Sequence, residues 1–388
     1  MSIAGWMRSQ LQRSVDDAAR RMHARLVEAG FGPVQPPRMT APLVFAVGVL
    51  AVIAAAVVGM VWATAHATGV VAWVLVVIGW LVLAALLIPR PVPLPDDVTV
   101  LDRSTTPHLH QVVAHLAAAV GTPTPERIGV DTSFNAYVGR FGWRGKDTLV
   151  LGLPFWAAST WDERLGVMGH ELGHLAGRDT AQGRLKYATS SILRRTVSMM
   201  LDAGPVDPLR EVLRSPSEDL TVSFEGRVTR AVLRVLAIPP FLALLAFERL
   251  AANDGQYREY LADRRAALAA GSAGLASSLS VDVVGLHTAA AAAVRRGEDP
   301  FALLAERAVR RQSDPASVVP APVPTHRWDA THPPTELRID LLTRLGSTPG
   351  TARPSAGVLS AVQAEMQSMQ VRLARQVCDD LLDQTYTH

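Results

Sequence analysis

Cysteine is nearly absent: Cys378 is the only one in 388 residues. That excludes an intrachain disulfide and a thiolate metal cage, and it fits a reducing compartment for most of the chain. Lysine is scarce as well, with Lys146 and Lys186 alone, and arginine carries the remaining positive charge. The net charge of +3 is small, and no basic stripe tracks along the sequence, which excludes nucleic acid as a partner. The most informative absence is of charge altogether. From Met39 to Pro89 there is no Asp, Glu, Lys or Arg, while Arg38 and Arg90 bracket the run.

A spanning helix needs about 20 apolar residues, so this run holds two spans and a short turn. The turn falls at His66 to Gly69, with Trp62 and Trp73 on either side, as aromatic residues stand at a membrane interface. A signal peptide does not fit, because the run begins late and is far too long. Arg8, Arg13, Arg20, Arg21, Arg25 and Arg38 precede the run, whereas the turn has no charge. The positive-inside rule therefore puts both ends in the cytoplasm. Residues 3 to 29 carry Ile3, Met7, Leu11, Val15, Met22 and Leu26 on one helical face, which lies either on the membrane or on the protein. A third apolar stretch, Val235 to Phe247, is short and contains Pro239-Pro240. Its length favours a buried or kinked re-entrant segment over a full span.

Beyond the Pro-rich exit at residues 89 to 95, Thr106-Pro107 starts a helix that runs to about Val120. Short β signals follow at Arg127 to Val130, Asn135 to Gly139 and Thr148 to Leu151. From Thr160 to near Gly271 the pattern is helical. Residues 312 to 334 form a proline-rich loop, and an amphipathic helix runs from about Val358 to Leu382.

His170-Glu171-Leu172-Gly173-His174 is an HExxH motif in this helical stretch. Thr160 to Glu163 is a capping box that opens its helix, Leu165, Met168, Leu172 and Leu175 form a buried stripe, and Gly177 is placed to end it. Histidines four apart share a face and can reach one ion, whereas Glu171 is turned about 100° away. It is placed to act on a metal-bound water as general base, not to ligate. A catalytic zinc needs a third protein ligand. Glu259 is the best choice, with Asp263 on the same helical face to orient a ligand histidine through its outer ring nitrogen. An acid pair four apart is by itself usually a solvated helix face, and gains weight only beside HExxH. Asp179 either supports His174 or simply turns a loop. Arg338 is either a salt-bridge residue of the site or a helix charge. The other histidines, among them His23, His108 and His110, are read as structural or surface residues.

The paired spans, Asn135-Ala136, His170 to His174 with Asp179, Glu259 to Asp263, and His332-Pro333-Pro334 with Arg338 together resemble the HtpX-like membrane metallopeptidases, relatives of the CAAX prenyl proteases. The resemblance runs from the hairpin to about Leu345. It implies a glutamate-zincin with a single zinc on His170, His174 and Glu259, Glu171 as base, and His332 as an oxyanion donor. It also implies that Asn135 to Gly139 is an edge strand that pairs with substrate, bringing Asn135, Ala136 and Tyr137 to the peptide. Members of that group usually carry two further spans between HExxH and the third ligand. Here Arg194-Arg195 interrupts residues 187 to 203, so the membrane part is reduced, and without a many-span chamber CAAX processing is not expected.

The expectation is thus an α+β, mainly helical protein: an amphipathic segment 1–38, a transmembrane hairpin 39–90, a gluzincin-type peptidase domain 91–345 with a small β-sheet, and a C-terminal helix 346–388. It would be a multi-pass plasma-membrane endopeptidase with a cytoplasmic catalytic domain, acting on protein or peptide substrates, with membrane-protein quality control as one setting for it. The alternative is a catalytically inactive membrane scaffold. Glu171 argues against it, since a scaffold has no use for the base.

Overall fold

The computed structural model describes residues 3–30, 40–88, 91–176, 181–201, 224–313, 333–346 and 350–383. The first three helices are α1 (Ile3–Glu28), α2 (Thr40–His66) and α3 (Val70–Leu87). A short strand β1 (Thr99–Val100) precedes α4 (Pro107–Val120), then β2 (Arg127–Asp131), β3 (Ala136–Phe141), β4 (Lys146–Gly152) and the brief helix α5 (Leu153–Ala157). Next come α6 (Trp161–Leu175), α7 (Ala181–Leu201) and the long α8 (Phe224–Ala270). The remainder is α9 (Ser272–Leu279), α10 (Val283–Arg295), α11 (Pro300–Ser313), α12 (Thr335–Arg344) and α13 (Ala356–Asp383). The chain is mainly helical with one small sheet, as its patterning predicts.

The packing divides the chain into two units. The first comprises Met1–Ala18, Gln35–Arg90 and Asp179–Gly255. In it α2 and α3 reverse at Gly69, whose φ of 83° suits glycine. Trp80 Nε1 donates to Thr64 Oγ1 at 2.9 Å between the two helices. Their apolar side chains face outward almost throughout, and both helices are long and apolar enough to cross a membrane.

Val235–Ala252 within α8 is also long and apolar enough. The apolar run thus extends five residues beyond the Phe247 limit read from the sequence. The helix runs unbroken through Pro239 and Pro240 and continues past Glu248 and Arg249, where the apolar run had been taken to end. A proline pair removes two N–H donors, while the helix on either side keeps the rest of its ladder. By contrast α7 is not among the helices apolar enough to span. Its Lys186 and Arg194 pair with Asp254 and Glu248 of α8 at 3.1 and 3.0 Å. Leu193, Leu244, Phe247 and Ala46 form the apolar cluster of this unit.

The second unit comprises Ala19–Val34, Pro91–Arg178 and Gln256–His388. Its sheet has the order β1-β2-β4-β3, with β2 parallel to β4 and the other pairs antiparallel. Ala136 stands opposite Leu151, so β3 is an outer strand of the sheet. The core is built from alternate strand residues (Ile128, Val130, Leu149, Leu151) and from apolar faces of α4, α6, α10 and α13. Leu275 of α9 is buried in an adjoining cluster with Ala266 and Leu342. Although α9 and α10 together are apolar enough for a bent span, their buried residues serve this protein core. Glu365 of α13 accepts from the backbone N–H groups of His108 and Leu109, both at 2.9 Å, which caps the start of α4 with a negative charge. From Ala19 onward α1 packs on protein: Met22 and Leu26 bury against Tyr260 and Leu341, and His23 Nε2 lies 2.8 Å from Asp340.

Candidate metal centre

The helix that carries the histidines is fixed at its start and along its buried side. Thr160 Oγ1 accepts from Glu163 N–H at 3.4 Å, and the Glu163 carboxylate accepts from Thr160 N–H at 2.7 Å, a reciprocal cap. Leu165, Met168, Leu172 and Leu175 are all buried. The expected stop at Gly177 lies outside the described residues, and the helix itself closes at Leu175.

A second face of α6 is made of glycine. A β-carbon on Gly166 would lie 2.7 Å from the backbone N of Leu275, on Gly169 3.2 Å from Cα of Ala266, and on Gly173 2.9 Å from Cα of Ala262. These positions follow one another at helical spacing, so α6 touches the end of α8 at Gly169 and Gly173, and α9 at Gly166, backbone to backbone. Helix axes normally stay 8–10 Å apart because side chains separate them. Removing the β-carbons lets α8 approach until its short acidic side chains reach the histidines. Gly173→Val should therefore push α8 away and lower zinc affinity by about tenfold or more, given the usual cost of overpacking. Titration against a competing chelator measures this, and wild-type affinity would show that the close approach is dispensable.

The result is a tight group of side chains. His170 Nε2 and His174 Nε2 are 3.0 Å apart. The Glu259 carboxylate lies 3.7 Å from each of them. The Glu171 carboxylate shares this space, within 4.8 Å of the ring nitrogens of both histidines. Behind the group, Asp263 is fully buried and stands 2.7 Å from His170 Nδ1. Arg338, from α12, donates to both Asp263 oxygens, from Nε at 2.8 Å and from a terminal nitrogen at 2.7 Å. Only 6 % of Arg338 is exposed, so it is a buried ion-pair partner and not a solvated helix charge.

The electrostatics follow from this stacking. Burial alone would push the Asp263 carboxyl up, but the Arg338 charge and its hydrogen bonds, with His170, hold it well below the ordinary carboxylate range. Burial likewise favours neutral His170, whereas the neighbouring Asp263 carboxylate pushes its pKa up. Because Asp263 is ionised and accepts from Nδ1–H, the proton of a neutral His170 is fixed on Nδ1 and its Nε2 lone pair faces His174 and Glu259. Leaving Asp263 buried without Arg338 would cost about 3–5 kcal/mol.

Of the residues picked out by sequence, His170, Glu171, His174, Glu259, Asp263 and Arg338 come together here. Asn135, Ala136 and Tyr137 stand apart from this group, at the start of the outer strand β3, against which α6 packs. Asn135 O accepts from Gly152 N–H at 2.8 Å, which extends the β3–β4 pairing by one residue. His332 and Asp179 lie outside the described residues. His108 is occupied by Glu365 at 2.7 Å, away from the group. Sequence reasoning missed the glycine face; its signal was the small-residue spacing Gly166, Gly169, Gly173, the last two opposite Ala266 and Ala262.

Comparison with known proteins agrees with this geometry. The profile of Peptidase family M48 matches residues 103–345, more than half of the chain and the whole of the group just described. Over 254 residues the chain is 26 % identical to a protein of Methanopyrus kandleri named Protease HtpX homolog, across 61 % of this chain and 66 % of that one. It thus spans just under two thirds of that relative's length. No solved structure matches it. The chain belongs to peptidase family M48.

Proposed function

We propose that this protein is a membrane-anchored, zinc-dependent endopeptidase that hydrolyses peptide bonds of protein substrates. The observation that carries this reading is the convergence of His170, His174 and Glu259 at 3.0 and 3.7 Å beside the Glu171 carboxylate. Four donors arranged tetrahedrally at about 2.0–2.2 Å from zinc stand roughly 3.3–3.6 Å from one another. The two nitrogens at 3.0 Å, and the two Glu259 oxygens each 3.7 Å from one of them, lie within about 0.3 Å of that spacing, and the donor set of two histidines and one acid is one that catalytic zinc uses. When bound, zinc would lower the pKa of a water toward about 7 and polarise a carbonyl.

The chain's own residues supply the rest. Asp263, held ionised by Arg338, keeps the His170 ring oriented with Nε2 turned toward His174 and Glu259, where it would hold the metal. Glu171 takes a proton from the attacking water and delivers it to the nitrogen of the departing amine. The outer strand β3, through Asn135, Ala136 and Tyr137, pairs with an extended substrate backbone and lays it across α6. His332 donates to the developing oxyanion, and Asp179 supports His174. The helices α2 and α3 span the plasma membrane with the peptidase unit on the cytoplasmic side, following the arginine asymmetry.

Full-length protein should bind a single zinc ion per chain and cleave an unfolded protein, losing activity to a chelator and regaining it with zinc. A zinc-loaded preparation that binds unfolded chains without cutting them would instead favour the inactive scaffold. For orientation, a cytoplasm-active reporter fused after Arg90 should work, and one placed within residues 66–69 should not. The reverse pattern would put the peptidase outside.

A further inference from the structure

We infer that the tip of the β3–β4 hairpin, Gly142 to Lys146, is a lipid-contacting anchor for the anionic headgroup surface of the bilayer. The inference rests on the reading above that α3 crosses the membrane.

Trp143 is 84 % exposed, the most exposed large apolar side chain among the described residues. It stands between Gly142 and Gly145, both at positive φ (80° and 58°), so the turn is built to hold the indole outward. An indole left in water loses the burial that its area offers, whereas at a bilayer interface its ring and its N–H are both accommodated. The charges around it have one dominant sign. Arg144 is exposed, Lys146 closes the turn, and an Arg127 terminal nitrogen lies 3.7 Å from where a β-carbon on Gly142 would sit. Arg140 is paired with Asp147 at 2.9 Å, which neutralises the nearby acid. The carboxylates of Asp97 and Asp131 act on one another at the opposite end of β2.

Connectivity adds a second, independent observation. Gly142 N–H donates to Val92 O at 2.8 Å, so the hairpin tip is tied to Val92. Val92 follows Ile88, the C-cap of α3, by four residues. A chain covers at most about 3.6 Å per residue, so Val92, to which the tip is tied, lies within about 14 Å of the end of α3. Lipid charge acts over a Debye length of about 8–10 Å, and the short tether keeps the basic turn and its indole close enough to the surface to enter that range. A tip so tethered meets lipid continuously, whereas a soluble protein or peptide would have to find it.

The single native cysteine makes a direct test available. In a Cys378→Ser background, Trp143→Cys would carry an environment-sensitive aromatic fluorophore, with the full-length chain in vesicles of phosphatidylcholine and phosphatidylglycerol containing headgroup-level nitroxide lipid. Val371→Cys, on the exposed face of α13, and Val74→Cys, in α3, are the reference sites. Strong quenching is expected at 143 and not at 371. Removing phosphatidylglycerol should weaken it, and Arg144→Gln with Lys146→Gln should lower the contact equilibrium by about fivefold per cation. Quenching at 143 no greater than at 371, while the α3 site is quenched, would overturn the anchor and leave the span intact. An unquenched α3 site would sink the membrane reading and the anchor with it. A fluorescence change at 143 that appears only on adding a peptide, without nitroxide quenching, would mark a peptide-binding turn and also overturn the inference.

Discussion

Glu171→Gln should lower turnover by at least about 10²-fold while zinc stays bound at wild-type stoichiometry. The amide keeps the size and the hydrogen-bonding reach of the carboxylate but cannot accept a proton from water. The geometry makes the two readouts separable. Glu171 stands within 4.8 Å of a ring nitrogen of each histidine, and the Glu259 carboxylate, proposed as the third donor, lies 3.7 Å from each from another helix. The metal should therefore not depend on Glu171, and the rate should. Measured kcat and metal content on the same preparation decide the matter. Undiminished turnover would remove Glu171 as the base, and loss of zinc would recast it as a ligand.

Glu259→Ala should strip the metal, with affinity falling by more than about 100-fold, because two histidines on one turn of helix hold zinc poorly without a third charged donor. Asp263→Ala makes the informative comparison. It leaves all three donors in place and removes only the group that fixes the His170 tautomer, so affinity should fall by about 10- to 100-fold. The ordering of the two variants matters more than either value. The nearest rival acids are poorly placed: Glu248 is engaged by Arg194 and Ser190, and Glu336 is exposed on α12. If Glu259→Ala retains wild-type affinity, the third donor must come from His326, Asp329 or His332. Circular dichroism on both variants separates lost metal from lost fold, a necessary control since Asp263 and Arg338 form a buried pair.

Much of this site was legible before any coordinates, because its signals are local. The capping box, the apolar stripe and the two histidines all lie within one helix, where spacing alone fixes direction. Glu259 and Asp263 were legible for the same reason, as two acids on one helical face. The places of β2, β3 and β4, with their limits to within two residues, and of α4 were legible from flanking glycines and prolines, whereas the two-residue β1 was not. What could not be read depends on a partner distant in sequence. Arg338 looked no different from any helix arginine until Asp263 stood beside it, 75 residues earlier in the chain. The second half of α1 could have faced lipid or protein, and only Tyr260 and Leu341 decide for protein. The continuity of α8 through Pro239-Pro240 ran against a local rule, and α9, at eight residues, carries too few turns for a period to emerge.

The glycine face of α6 changes what the motif itself means in this chain. Written as HExxH, residues 172 and 173 are wildcards, open to any occupant. The packing leaves neither open. Leu172 is fully buried in the core, and Gly173 has the Ala262 backbone 2.9 Å from where its first side-chain carbon would be. Viewed as an information problem, the five letters specify two interfaces as well as one ion: a core on one side and a second helix on the other. A sequence drifting under selection for catalysis would therefore hold Gly173, Gly169 and Gly166 nearly as firmly as His170. A designer grafting the motif onto another helix would need to bring the bare glycine seam along with the histidines.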